Sequence, residues 1–345
     1  MSDSAAQRFY LGCYTASSGG NGGGVSVFER ASAGEPWKAI QVAPVDDPSF
    51  IALTEGELHA TSETTAGRLV SFTVSAGELQ PASIAASGGT APCHVVLDPA
   101  SGSLVVTNYT AGTFAALSAD ALDPARVARV LPLPAGHGVV ADRQEAPHAH
   151  SSTPTPWGTL LVSDLGTDRL YEVRIDSTTL EPSFVAAHAM PAGSGPRHFA
   201  WLGDRLLVTG ELDGNVHVLD RVGDGFVVAQ SVHGYDPTQS HGTGEVLLSH
   251  IAVYEGRVYV AVRGRDTISV LAEAGGTVDG PLALVAEVPC GGRWPRHFAF
   301  DGSQIYVANQ LGDTVTILPL DAVTGIPGPV SSSIPTGSPS CVLFP

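Results

Sequence analysis

A proline-led unit recurs along this chain and limits its fold more than any other feature. The unit opens on a Pro step, enters a short apolar strand and turns through Gly or Asp. A second strand ending in polar residues follows, then a Val-rich third. The clearest copy begins Trp294-Pro295-Arg296-His297-Phe298-Ala299-Phe300, and its near twin begins Gly195-Pro196-Arg197-His198-Phe199-Ala200-Trp201. Its first position falls at Pro48, Pro92, Pro147, Pro196, Leu248, Pro295 and Pro339, at spacings of 44, 55, 49, 52, 47 and 44. Units of about 40–50 residues with four short strands are the blades of a β-propeller. The seventh interval closes only when the two chain ends are joined, so residues 339–344 are expected to share a blade with residues 9–14. That arrangement hides both free strand edges. A β-solenoid would show shorter, more uniform repeats. The sequence reads as all-β, a seven-bladed β-propeller with its N- and C-terminal strands closing one blade, and a single domain over residues 1–345.

Composition narrows the function. With 17 Lys+Arg against 34 Asp+Glu the formal charge is −17, and Lys38 is the sole lysine. Such a chain repels phosphate backbones and anionic lipid heads, so neither nucleic acid nor a membrane surface is expected as a partner. Gly (40) and Pro (25) are abundant, yet 43 % of residues are hydrophobic, which suits many turns around a real core rather than disorder. Cys13, Cys93, Cys290 and Cys341 are far apart, without a CxxC pair. The first eight residues carry no charged-then-apolar leader pattern, and no apolar run has the length of a membrane span. A cytoplasmic protein is expected.

Aligning the units stacks side chains at one mouth of the disc. After the phase position the residues are Ser49, Cys93, His148, Arg197, Ser249, Arg296 and Ser340, and the next column holds His94, His198, His250 and His297. The second strands end in Glu63, Tyr109, Leu165, Glu211, Arg263, Gln310 and Tyr14, preceded by Asn108, Asp164 and Asn309 among others. Insertions blur this register by two or three positions in the blades starting at Pro92 and Pro147. In a chain so poor in basic groups, Arg197, Arg263 and Arg296 at one mouth read as an anion site. The bland reading of each Arg or His is a hydrogen bond to a neighbouring blade, and His198 and His297, each followed by Phe, fit that reading best.

The steps Ala146-Pro147-His148-Ala149-His150, Ser163-Asp164-Leu165-Gly166-Thr167-Asp168-Arg169, Gly195-Pro196-Arg197-His198, Arg263-Gly264-Arg265-Asp266 and Pro295-Arg296-His297 resemble the seven-bladed propeller lactonase family, as does Ala308-Asn309-Gln310. That family includes cycloisomerase-2-type 6-phosphogluconolactonases and carboxymuconate-cyclase enzymes. The resemblance spans nearly the whole chain. It implies a catalytic group of His148, Arg197, Glu211 and Arg263, with Arg296, His150, His198, His297, Asn309 and Gln310 as substrate-binding candidates. Gly210 and Val262 stand where the family often has Asn, which bears on the substrate more than on the reaction type.

The expected reaction is opening of an anionic lactone by general-base activation of water, with Arg stabilising the oxyanion. Either His148 or Glu211 is the base. Muconate-type cyclisation needs the same parts, so direction stays open. No cofactor and no metal are expected. A rival places a hard cation among Glu63, Asn108, Asp164, Glu211 and Asn309, or a transition metal on His148 and His150. Cys93 is a nucleophile only if its thiol is acidified. A non-enzymatic binding propeller would show aromatic anchors at the mouth, where Tyr109 is the main one. Oligomeric state is not encoded in any pattern found.

Overall fold

The computed structural model describes residues 6–123, 126–276 and 280–345, so residues 1–5 of the leader reading lie outside it. Each strand pairs with its neighbours in an antiparallel meander, and seven four-stranded sheets result among the described residues. The protein is an all-β propeller of seven blades. Their innermost strands are Pro339–Leu343, Ile51–Thr54, Pro92–Asp98, Ala149–Pro154, Pro196–Leu202, Leu247–Tyr254 and Pro295–Asp301, here blades one to seven. Proline suits the first residue of a strand because its missing N–H is not needed by the ladder there.

The shared blade forms as the intervals require. Pro339–Leu343 pairs with Gln7–Cys13, setting Tyr10 opposite Leu343 and Leu11 opposite Val342. Gly24–Arg30 and Lys38–Ala43 complete the sheet. Hydroxyls beside the Pro step then stitch blade to blade: Ser49 donates to the Pro92 carbonyl at 3.2 Å, Ser249 to Pro295 at 2.7 Å and Ser340 to Pro48 at 2.6 Å. Between blades the core is apolar. Phe9, Phe28, Tyr306 and Ile317 fill the gap between blades seven and one, and Leu207, Val216, Val258 and Val260 that between five and six.

Two details position the site. A β-bulge recurs at the start of the innermost strand, between Pro92 and His94, Pro196 and Phe199, Leu248 and Ile251, and Pro295 and His297. A bulge re-aims side chains, and here it lets consecutive residues such as Arg197 and His198 both serve the axis. The second detail corrects the register of blade four. Ala149 pairs with Asp164, as Pro92 pairs with Asn108 and Pro196 with Gly210. Ala149 therefore holds the phase position, two residues beyond Pro147, and the place equivalent to Arg197 belongs to His150 rather than His148. The insertion over residues 134–146 absorbs the slip.

Candidate active site

Glu211 follows directly on the strand Arg205–Gly210 and is held by guanidiniums from three elements. Arg197 Nε lies 2.8 Å and Arg263 Nη2 2.7 Å from Oε2, while Arg143 Nη2 donates to Oε1 at 2.5 Å. Arg197 belongs to the same blade as Glu211, Arg263 to the next, and Arg143 to the loop before blade four. Glu211 and Arg197 are each 2 % exposed. Burial opposes the Glu211 charge, yet Arg263 and Arg197, aided by Arg143, more than offset it and hold its carboxyl well below the usual range. Burial also lowers Arg197, to about 9, so it stays a cation at neutral pH. Arg197 Nη1 and Arg263 Nε are buried without a hydrogen-bond partner among the described residues. Unsatisfied buried donors cost roughly 1–3 kcal/mol each, and an oxyanion would satisfy them.

His148 sits beside this hub rather than in it. Its ring stacks on Tyr109, centroids 4.4 Å apart and 8° from parallel. Nδ1 lies 3.1 Å from the Tyr109 carbonyl and Nε2 3.1 Å from Glu145 Oε1. A carbonyl oxygen only accepts, so Nδ1 is the donor to Tyr109. That fixes the tautomer with the proton on Nδ1 and leaves Nε2, beside the 59 %-exposed Glu145 side chain, as the nitrogen free to serve a ligand. The backbone is fixed as well, with His148 N–H donating to Asp164 Oδ1 at 2.7 Å and Leu165 N–H donating to the His148 carbonyl. Gly166 makes this approach possible, because a Cβ there would lie 1.8 Å from the Ala146 carbonyl oxygen.

Of the remaining candidates, His150 joins the hub, with Nε2 4.0 Å from Glu211 Oε2 and its ring edge-on to Tyr109. Burial and the neighbouring Arg197 push His150 well below its ordinary value, so it is neutral. The bulge between Ala149 and Ser151 breaks the alternation that would put His148 and His150 on one strand face. Arg296 lies farther round the mouth, 5.0 Å over the Tyr14 ring and 3.7 Å from Glu63 Oε2, which in turn accepts the Tyr14 hydroxyl at 2.6 Å. Gln310 keeps its half-buried place at the end of its strand, with Oε1 unpartnered among the described residues.

His198 and His297 make no ion pair with Glu211; His198 stands edge-on to His150 at 5.6 Å, and both rings meet His250. Phe50, His94, His198, His250 and His297 close a girdle round the axis, with successive centroids 4.3, 5.7, 5.3 and 3.9 Å apart and 5.5 Å from His297 back to Phe50. Asn309 is fully buried, donating to the Val307 carbonyl and Thr316 and accepting from the Cys290 thiol, so it braces strands instead of facing a substrate. Asn108 donates through Nδ2 to the Ser87 carbonyl and Thr113 while its Oδ1 is buried without a partner among the described residues, and Asp164 accepts from His148, Gly166 and Thr167. Among the described residues no three His, Cys, Asp or Glu side chains gather as metal ligands. Burial pushes the Cys93 thiol up to about 12, which removes it as a nucleophile.

Sequence reasoning missed Arg143 and Glu145. Both lie in an irregular loop where no period marks a position. Cavities of about 720 and 610 Å³ lie elsewhere, the second against Trp157 and Trp201, so convergence of charge and not volume singles out this mouth.

Comparison with known proteins agrees with this fold. Residues 8–344 match the family model described as lactonase, 7-bladed beta-propeller. A relative from Bacillus subtilis (strain 168) described as 6-phosphogluconolactonase is 28 % identical, with 97 % of each chain covered. One from Formosa agariphila with the same description is 26 % identical, covering 88 % of this chain and 90 % of that one. The solved structure described as the Pseudomonas aeruginosa periplasmic gluconolactonase superposes with a TM-score of 0.86 at 27 % identity, over 99 % of both chains.

Proposed function

The chain belongs to the lactonase family of seven-bladed β-propellers, and from that premise we propose that it hydrolyses a sugar lactone whose ring bears an anionic substituent, 6-phosphogluconolactone being the first candidate. One observation carries the reading: several guanidiniums converge on a single buried carboxylate beside an imidazole whose tautomer a backbone carbonyl fixes. Arg143, Arg197, Arg263 and Arg296 bring four positive charges to the mouth against the three negative charges of Glu211, Glu63 and Glu145. An anionic ligand would meet the surplus.

In this mechanism His148 Nε2 takes a proton from water as its oxygen attacks the ring carbonyl. The carbonyl oxygen gains charge, and the unsatisfied N–H groups of Arg197 and Arg263 stabilise it. Collapse breaks the ring C–O bond, and the proton on His148 passes to the departing ring oxygen. Glu211 is not the base in this mechanism, because three guanidiniums occupy its oxygens and leave it little affinity for a proton; it fixes Arg197 and Arg263 in place. Arg296, Gln310 and His150 would line the substrate. Cyclisation of a muconate uses the same groups in reverse, but the lactonase descriptions of the relatives named above favour hydrolysis.

Incubating the purified protein with glucono-δ-lactone and with its 6-phospho derivative, while following acid release, tests the reading. Ring opening no faster than the spontaneous rate would sink it. Activity is expected to persist in EDTA, and loss restored by Ca²⁺ or Zn²⁺ would return the metal rivals. No described helix is long and apolar enough to cross a membrane. All four cysteines are free and buried, which suits the reducing cytoplasm we propose as its location; fractionation of the source cells checks this.

A further inference from the structure

Arg143 differs from the other guanidiniums at the mouth in how it is held. Its side chain is 35 % exposed, against 2 % for Arg197, 7 % for Arg263 and 15 % for Arg296. It reaches Glu211 Oε1 and its charge also acts on the nearby Tyr109 hydroxyl, so it lies between the His148–Tyr109 stack and the hub. Its backbone, by contrast, is firmly tethered. Arg143 N–H and Gln144 N–H both donate to the Val140 carbonyl, closing a tight turn. The Gln144 side chain next to it is fully buried and uses both ends, donating to the Leu165 carbonyl and Asp168 at 2.8 Å and accepting from Val140 N–H at 3.0 Å. A long cationic side chain on a fixed base, partly open to solvent, can change partners without moving the loop.

The hub does not need this third cation. Glu211 Oε2 already has Arg197 and Arg263, and among the described residues Oε1 is held by the partly exposed Arg143 alone. We propose that Arg143 is the specificity residue of this mouth: on binding it exchanges Glu211 Oε1 for the anionic substituent of the lactone, so that the loop over residues 134–146 decides between charged and uncharged rings. This rests on the lactonase reading above, but its chemistry is recognition of an anion and can be read separately.

The experiment compares wild type with Arg143→Met, which keeps length and loses charge, and Arg143→Lys. With 6-phosphogluconolactone the Met variant should raise KM roughly tenfold or more, the scale of a lost charge-assisted bond, and Lys should recover part of it. The fall in kcat/KM on unphosphorylated gluconolactone should be several-fold smaller. An equal fall on both lactones, or no fall on the phosphorylated one, overturns the proposal. If wild type opens neither lactone, the lactonase reading fails and inorganic phosphate becomes the probe. Thermal stabilisation by phosphate in wild type, reduced in Arg143→Met and partly kept in Arg143→Lys, would still support the anion role. No stabilisation, or the same in all three proteins, would overturn it.

Discussion

At the residue scale, Glu211 and His148 should respond differently to removal. Glu211→Gln leaves Arg197 and Arg263 buried with no carboxylate between them, and breaking a buried ion pair on one side costs about 3–5 kcal/mol. We expect this variant to unfold at lower urea as well as to lose turnover. His148→Ala touches the hub only through Tyr109, so stability should change little. Its kcat should fall by roughly 10²–10⁴, the range of a general base, with KM nearly constant. Comparable unfolding midpoints for the two variants would contradict this division. Arg197, Glu211 and Arg263 were legible in the sequence because each occupies a repeating column, where a charge stands out against turn residues. His148 and His150 exchanged places because an insertion and a bulge together shift the count by two, and neither has a residue signature. Arg143 was invisible for a plainer reason: only folding brings an irregular loop to a distant carboxylate 68 positions on.

At the scale of elements, the loop over residues 134–146 depends on Gln144, whose buried amide replaces a regular ladder. Gln144→Ala would strand the Val140 N–H and the Leu165 carbonyl. The loop should loosen and carry Arg143 with it, so KM for an anionic lactone should rise as in Arg143→Met while the blades keep their stability. Faster hydrogen exchange confined to this loop is the expected signature, and exchange spreading into the strand Ala149–Pro154 would contradict it. The strands themselves were easy to read, since Pro steps, Gly turns and alternating apolar residues act within a few positions. The loop was not, because its order comes from side-chain bonds to blade four that have no local pattern. Gly264 illustrates the same dependence: it follows Arg263 with φ of +81°, and a Cβ there would meet the Glu245 carbonyl at 2.5 Å. Gly264→Ala should therefore disturb Arg263 from a position that touches no charge.

Across the whole molecule, the histidine girdle ties stability to acidity. Burial, then the nearby Arg197, lowers His94 and His297 to about 3, and burial, then Arg126, does the same to His59. Above pH 6.5, the ordinary value, folded and unfolded forms are both neutral and these groups add no pH dependence. Below it the unfolded chain binds protons that the folded protein refuses. Stability should fall by about 1.4 kcal/mol per pH unit for each such histidine, levelling off only near pH 3. Urea midpoints measured from pH 7.5 to 4.5 should therefore drop steeply, and His94→Phe should make the drop shallower. A flat profile would mean the girdle is not desolvated. Glu211 acts in a lower window, since its depressed carboxyl loses its contribution only as pH falls below the ordinary glutamate range near 4.3.

The blade that joins Pro339–Leu343 to Gln7–Cys13 also sets a timetable. As the chain leaves the ribosome, blades two to seven can form one after another from neighbouring residues. The strand Gln7–Cys13 must wait with one edge unpaired until residues 339–343 have been synthesised. Its partner lies more than 300 positions downstream, so the ring closes in a single late event of very high contact order. Until then the nascent protein is an open crescent with two exposed edges, the form most apt to aggregate or to meet a chaperone. Once closed, no blade can peel away without opening the whole circle, and slow unfolding is the return for late assembly.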